Sequence, residues 1–303
     1  MKALKKILLF GTSALVFISC SDNDVNNPDV PQAKTPIRLS SSVSLLRSGS
    51  QNEQIVNGQA IGFYLNTTDE TVFNIENEKL TADGNGNFTH NLMHYPTEGS
   101  SFVFTAYHPY SESGAVDGEI DFSIESDQSN KSAYLKSDLL YSKKTGVTKT
   151  ANAVSLAFDH LLSKLTFTII KGDGVEISEL SEIEILNVLP SIKMDIADGT
   201  LSSISEIPTT VSAYGVTGGA QGVESLSGSA AIIIPQTMQS GTKLLLITIG
   251  ETVYSYITTA DLEFKGGKLY DFQIEINETD VKVTSTINNW DTGQTITGDG
   301  KIE

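Results

Sequence analysis

The side chains best suited to ligate a metal or shuttle a proton near neutral pH are four histidines, His90, His94, His108 and His160. His90 and His94 have the i, i+4 spacing that presents two imidazoles to zinc from one face of a helix. Phe88 and the Tyr95-Pro96 pair disfavour a helix there, so no metal is expected. His160, within Phe158-Asp-His-Leu161, reads as a buried, hydrogen-bonded structural residue. Asp83-Gly-Asn-Gly-Asn-Phe88 begins like a calcium loop, but Phe88 stands where the motif needs Gly, and His94 where it needs a bidentate Glu. A hairpin turn fits the segment better. The chain carries no Gly-x-Ser-x-Gly elbow, phosphate loop or dinucleotide fingerprint. Carboxylates are abundant, so counting them does not single out a two-carboxylate glycosidase, and no residue points to one. The reading is a protein that is not an enzyme and takes no cofactor.

Cys20 is the one remaining reactive side chain, and the only cysteine in 303 residues. It follows Lys2, Lys5 and Lys6 and the apolar run Ile7–Ile18, which together read as a secretory signal peptide. A membrane-spanning helix needs about 20 apolar residues, more than this run supplies. Phe17-Ile18-Ser19-Cys20 resembles a bacterial lipobox, with Phe17 in place of the usual leucine. That resemblance implies diacylglyceryl transfer to the Cys20 thiol and cleavage between Ser19 and Cys20. The exported chain then has no disulfide, so core burial alone must hold it together.

The formal charge is -17, and removing the three lysines of residues 1–19 takes it to about -20. Such a chain repels phosphate backbones and anionic headgroups, so no nucleic-acid partner is expected. Residues 20–36 are rich in Asn, Asp and Pro and read as a disordered tether. Their acidic start resembles a surface-export signal of Bacteroidales lipoproteins.

The elements that position everything else are strands. Short runs rich in Val, Ile, Phe, Tyr and Thr recur between Gly, Asn, Asp and Ser. Leu165, Phe167 and Ile169 alternate with Thr166 and Thr168; Tyr270, Phe272, Ile274 and Ile276 alternate with Asp271, Gln273 and Glu275. This period of two predicts antiparallel sheet with one wet face. Helical periodicity is nearly absent, although Asp159–Ser163 admits a single turn. The expected architecture is all-β, with one β-sandwich over residues 37–160 and a second over 161–303.

Several landmarks occur in order: Arg47-Ser48, then Gly58 to Tyr64 (Gly-Gln-Ala-Ile-Gly-Phe-Tyr), and Phe102-Val-Phe-Thr-Ala-Tyr-His-Pro-Tyr110. Ser137-Asp-Leu-Leu-Tyr141, Leu156 to Phe167, Ile234-Pro-Gln-Thr237, Phe264-Lys-Gly-Gly-Lys-Leu-Tyr270 and Ile287-Asn-Asn-Trp290 follow. The ordered set resembles the fimbrillin family, the subunits of Bacteroidales type V pili, across almost the whole chain after the tether. The resemblance implies two tandem transthyretin-like antiparallel β-sandwich domains and export as an outer-membrane lipoprotein at the cell surface. It implies other pilus subunits as partners, in a homo- or hetero-polymer, and a surface ligand on host or bacterium for an adhesin. It also implies that an arginine-specific protease removes the first strand, whose groove then accepts a strand from another subunit.

The residues before Arg47 suit that role. Ile37, Leu39, Val43 and Leu45 form an apolar row with period two, broken at Ser41. A cut between Arg47 and Ser48 would release this strand together with the lipid anchor. The only other arginine, Arg38, lies inside the strand. Near the C-terminus, Thr279 to Ile287 is a second alternating run, either a donor strand or, as Trp290 beyond it favours, the last strand of the core. The alternative to a pilus subunit or tip adhesin is a surface glycan-binding lipoprotein of a polysaccharide-uptake system. That role needs an exposed aromatic platform, and the chain has one tryptophan.

Overall fold

Runs of β-branched and aromatic residues, cut at short intervals by turn residues, dominate the fold. The structure, a computed structural model, describes residues 34–43, 55–68, 73–203, 207–289 and 292–302. The first eight strands are β1 (Leu39–Val43), β2 (Ala60–Thr67), β3 (Ile75–Ala82), β4 (Phe88–Thr89), β5 (Phe102–His108), β6 (Glu119–Ser123), β7 (Leu140–Val147) and β8 (Val154–His160). Then come β9 (Ser163–Lys171), β10 (Leu180–Val188), β11 (Ser191–Asp195), β12 (Leu201–Ser203), β13 (Thr209–Ser212), β14 (Ser225–Ile233) and β15 (Gln236–Met238). The last six are β16 (Lys243–Ile249), β17 (Thr252–Ile257), β18 (Leu262–Phe264), β19 (Lys268–Ile276), β20 (Val281–Asn289) and β21 (Thr292–Ile302).

A seven-stranded sheet runs β1-β8-β7-β5-β2-β3-β4, and a nine-stranded sheet runs β13-β10-β16-β17-β21-β20-β19-β9-β14. Two small sheets, β12-β11-β6 and β15-β18, complete the architecture. Among the described residues one helix forms, α1 (Lys131–Lys136), capped by Asn130, whose side-chain oxygen accepts from the Ala133 N–H at 2.9 Å. The fold is all-β, as expected.

Two expectations need correction. The sheets are not purely antiparallel, because β1 runs parallel to β8 and β9 parallel to β19. Period-two patterning reports which face is buried and says nothing about a neighbour's direction. Asp159–Ser163 holds no helical turn: β8 ends at His160, and β9 begins at Ser163 after a bend. β20 is an inner strand paired along its length with β19 and β21, and Val281 and Val283 are buried, which is the core alternative for that run. Trp290 lies outside the described residues.

The landmark residues have local physical reasons. A Cβ on Gly62 would lie 2.2 Å from the ring of Tyr107, its cross-strand partner, so the strand tolerates only glycine there. A Cβ on Gly266 would lie 2.4 Å from the Leu161 carbonyl, where the β18–β19 turn docks on the link between β8 and β9. The Tyr270 hydroxyl closes that turn, donating to the Glu263 carbonyl at 2.8 Å and accepting from the Lys265 N–H at 2.7 Å.

The two edges of the nine-stranded sheet are bridged. At one end Tyr214 and Ala230 exchange backbone hydrogen bonds of 2.7 and 2.9 Å. Beside it the segment Ser126–Gln128 fills the gap, with Ser212 N–H donating to Ser126 O and Gln128 N–H donating to Ser212 O. The Gln128 side chain is fully buried and acts like a strand neighbour of β14. Its amide oxygen accepts from the Ile232 N–H at 2.9 Å, and its amide nitrogen donates to the Ile232 carbonyl at 2.8 Å.

His108 ends β5 fully buried, with Nδ1 3.0 Å from the Asp138 carbonyl and Nε2 3.1 Å from Gln59 Oε1. Asp138 also receives His160, whose Nδ1 lies 2.8 Å from Oδ1, so His160 is hydrogen-bonded as expected. Burial holds the His108 pKa below the ordinary imidazole value, against the opposing pull of Asp138. The unfolded chain takes up a proton near pH 6.5 that the folded chain resists, so stability is lost as pH falls below about 6.5. The melting midpoint should therefore drop between about pH 7 and pH 5. His108→Gln should flatten that slope, and an equal slope in the variant would contradict the assignment.

Candidate functional site

Leu39–Val43, within the run expected to form the first strand, is the strand β1 at the end of the seven-stranded sheet. Ile37 and Leu39 are 1% and 3% exposed, whereas Arg38 and Ser42 are exposed, so period two places the odd residues inward. Ser41, the break in the apolar row, keeps the same orientation and is 8% exposed. Val43 pairs through its backbone with Phe158, while its side chain, and all of Leu45, Arg47 and Ser48, lie outside the described residues. Ser19 and Cys20 lie outside them too.

Two walls hold β1. The first is β8, in parallel register from Leu39 beside Val154 to Val43 beside Phe158, with the Val154 N–H donating to Arg38 O at 2.9 Å. Val154, Leu156 and Phe158 are buried on the same face as the inward row of β1. The second wall is the segment from Gly86 to Tyr95. Ile37 N–H donates to Met93 O at 2.9 Å, Tyr95 N–H to Thr35 O at 3.0 Å, and Ser41 N–H to Gly86 O at 2.7 Å. Pairing therefore begins at Thr35. β1 spans the gap between the two ends of its sheet, whose outer strands would otherwise be β8 and β4.

Sequence reasoning missed the second wall. Asp83-Gly-Asn-Gly-Asn is the hairpin turn expected, joining β3 to β4. Asp83 Oδ1 accepts from the N–H groups of Asn85 at 2.7 Å and Asn87 at 3.0 Å, which holds its carboxyl below the usual pKa. Gly84 and Gly86 adopt the left-handed conformation the turn needs, and the turn aims the Gly86 carbonyl at Ser41. The turn was legible in the sequence, but its long-range contact was not. His94, considered above as a zinc ligand, is bridged to Pro36 through its backbone in a non-helical segment.

Ile37 and Leu39 belong to an apolar cluster rich in aromatic rings. Phe63 meets Phe104 edge-on at 5.2 Å, and Tyr95 packs on Phe102 and Phe104 at 5.3 and 6.0 Å. Without β1 this cluster would lose Ile37 and Leu39, and the Val154 and Tyr95 N–H groups and the Gly86 and Met93 carbonyls would lose their β1-side partners. Among the described residues, no group of three His, Cys, Asp or Glu side chains is placed to hold a metal.

A family model described as fimbrillin-like matches residues 47–290. The match begins at Arg47 and leaves β1 outside it. A Bacteroides uniformis protein named as fimbrium subunit Fim1C is 27% identical over 315 residues, covering 95% of this chain and 96% of its own. A crystal structure from Bacteroides uniformis, described as a cell adhesion protein, superposes with a TM-score of 0.64 at 22% identity, over 84% of this chain and 98% of that one. Another so described, from Bacteroides ovatus, gives 0.65 at 14% identity, over 89% and 98%.

Proposed function

Because the chain belongs to the fimbrillin-like family, we propose that it is a pilus subunit that accepts another subunit's strand after cleavage at Arg47 removes its own first strand. The observation that carries this reading is β1 itself. It is a short strand held on both sides by backbone hydrogen bonds, with the only other arginine locked in its ladder. A protease needs its substrate extended and free, and the Arg38 carbonyl is engaged by Val154. Cleavage after Arg47 would leave β1 attached to the tether and to the lipid on Cys20, so that its departure would release the subunit from the outer membrane.

The same proposal treats residues 37–160 and 161–303 as two transthyretin-like sandwiches. One apolar cluster falls wholly within residues 37–158, while the other joins Tyr64, Tyr107, Ile120 and Tyr141 to the core of residues 161–303, and β6 pairs with β11 across the boundary. A tip or accessory position, with an adhesive surface, is favoured over a stalk position because the alternating run of β20 is committed to the core, with Val281 and Val283 buried and both neighbours paired.

The test is limited digestion of the chain from residue 21 onward with an arginine-specific protease, read by N-terminal sequencing. The wild-type chain should yield a new terminus at Ser48, and Arg47→Ala should stay uncut. Cleavage after Arg38 instead would overturn the reading.

A further inference from the structure

Ser41 sits on the inward row of β1 next to Leu39, and its hydroxyl has no hydrogen-bond partner among the described residues. The backbone is not at fault, because the Ser41 N–H reaches Gly86 O at 2.7 Å. At this register the neighbour on β8 is Leu156, fully buried on the same face. The flanking pair, Leu39 beside Val154, is apolar on both strands. A hydroxyl that leaves water without finding a partner weakens the hold of its strand. An aliphatic side chain there would remove that loss and bury additional apolar surface.

We propose that the position of Ser41 is the recognition subsite of the groove, and that the incoming strand of a second pilus subunit carries an aliphatic side chain at that register. The inference rests on the strand-exchange reading above and adds its direction. The resident strand is filled well enough at Ile37 and Leu39 to close the fold, and poorly enough at Ser41 to be displaced. The partner is an extended segment with alternating apolar residues and a branched aliphatic residue beside Leu156.

The experiment uses the chain from residue 21 onward, cut after Arg47 and mixed with synthetic peptides of the sequence of residues 34–47. The peptides are wild type, Ser41→Val or Ser41→Asp, and native mass spectrometry reads the bound fraction. The Val peptide should bind about tenfold more tightly than wild type, and the Asp peptide at least about tenfold more weakly. In the uncut chain, Ser41→Val should raise the melting midpoint by several degrees. Equal binding of the Ser and Val peptides, or a lowered midpoint because the site has no room for the methyl groups, overturns this inference and leaves strand exchange standing. Failure of every peptide to enter the cut chain removes the strand-exchange reading, and this inference with it.

Discussion

Leu39→Asp should lower the melting midpoint by about 10 °C and open the edge of the seven-stranded sheet. Leu39 is 3% exposed and belongs to the apolar cluster that includes Phe102, Phe104 and Phe158. Truncating a buried leucine to alanine already costs about 2–5 kcal/mol, and an unpaired carboxylate adds its desolvation. The aspartate can avoid that cost by leaving with its strand, so the loss should be local before it is global. Hydrogen exchange should show this as faster exchange at Val154 and Tyr95, whose N–H groups are held by Arg38 and Thr35. Ser42→Asp is the control, because Ser42 is exposed on the opposite face and should change stability by less than about 0.5 kcal/mol. Equal effects of the two substitutions would contradict the inward register of β1.

Gln128→Leu should cost about 3 kcal/mol or more, although leucine has nearly the volume of glutamine. The substitution leaves the Ile232 N–H and carbonyl without partners, together with the Glu125 carbonyl that Gln128 also serves at 3.1 Å. Each buried orphan costs about 1–3 kcal/mol. Gln128→Glu separates hydrogen bonding from packing. Its carboxylate can still accept from the Ile232 N–H but faces the Ile232 carbonyl with an oxygen. It should destabilise at pH 7 and partly recover as pH falls far enough to protonate it, because a neutral carboxyl restores the donor. Thermal melts of both variants across pH 5 to 8 provide the check. A melting midpoint unchanged in Gln128→Leu would mean that the gap between β13 and β14 is closed without the side chain.

The inner strands were legible because their period is clean. β9 and β19 show Leu165, Phe167 and Ile169, and Tyr270, Phe272, Ile274 and Ile276, buried as the alternation requires. β3 was not legible. Its sequence, Ile-Glu-Asn-Glu-Lys-Leu-Thr-Ala, buries only Leu80 and Ala82, so the strand is made by its partner β2 and not by its own pattern. β7 was hidden similarly by Lys143 and Lys144, which lie on an exposed stretch. For the site, Ile37 and Leu39 could be read as one face of a strand. What the face packs against could not, because Gly86, Met93 and Tyr95 reach it through the fold and no local pattern encodes that contact. Gln128 gave no signal either, since a buried glutamine looks like a surface one until its edge-pairing role is visible.

In the proposed function β1 is a removable occupant of a groove that accepts a strand. The most direct measurement is native mass spectrometry of the chain from residue 21 onward, after cleavage at Arg47 and with SDS gels run in parallel. If the account holds, the fragment of residues 21–47 leaves when a competing strand or a second pilus subunit is supplied, and SDS-resistant species appear in its place. A fragment that stays bound to a monomer in the presence of every competitor would contradict it and make β1 a permanent part of the sheet.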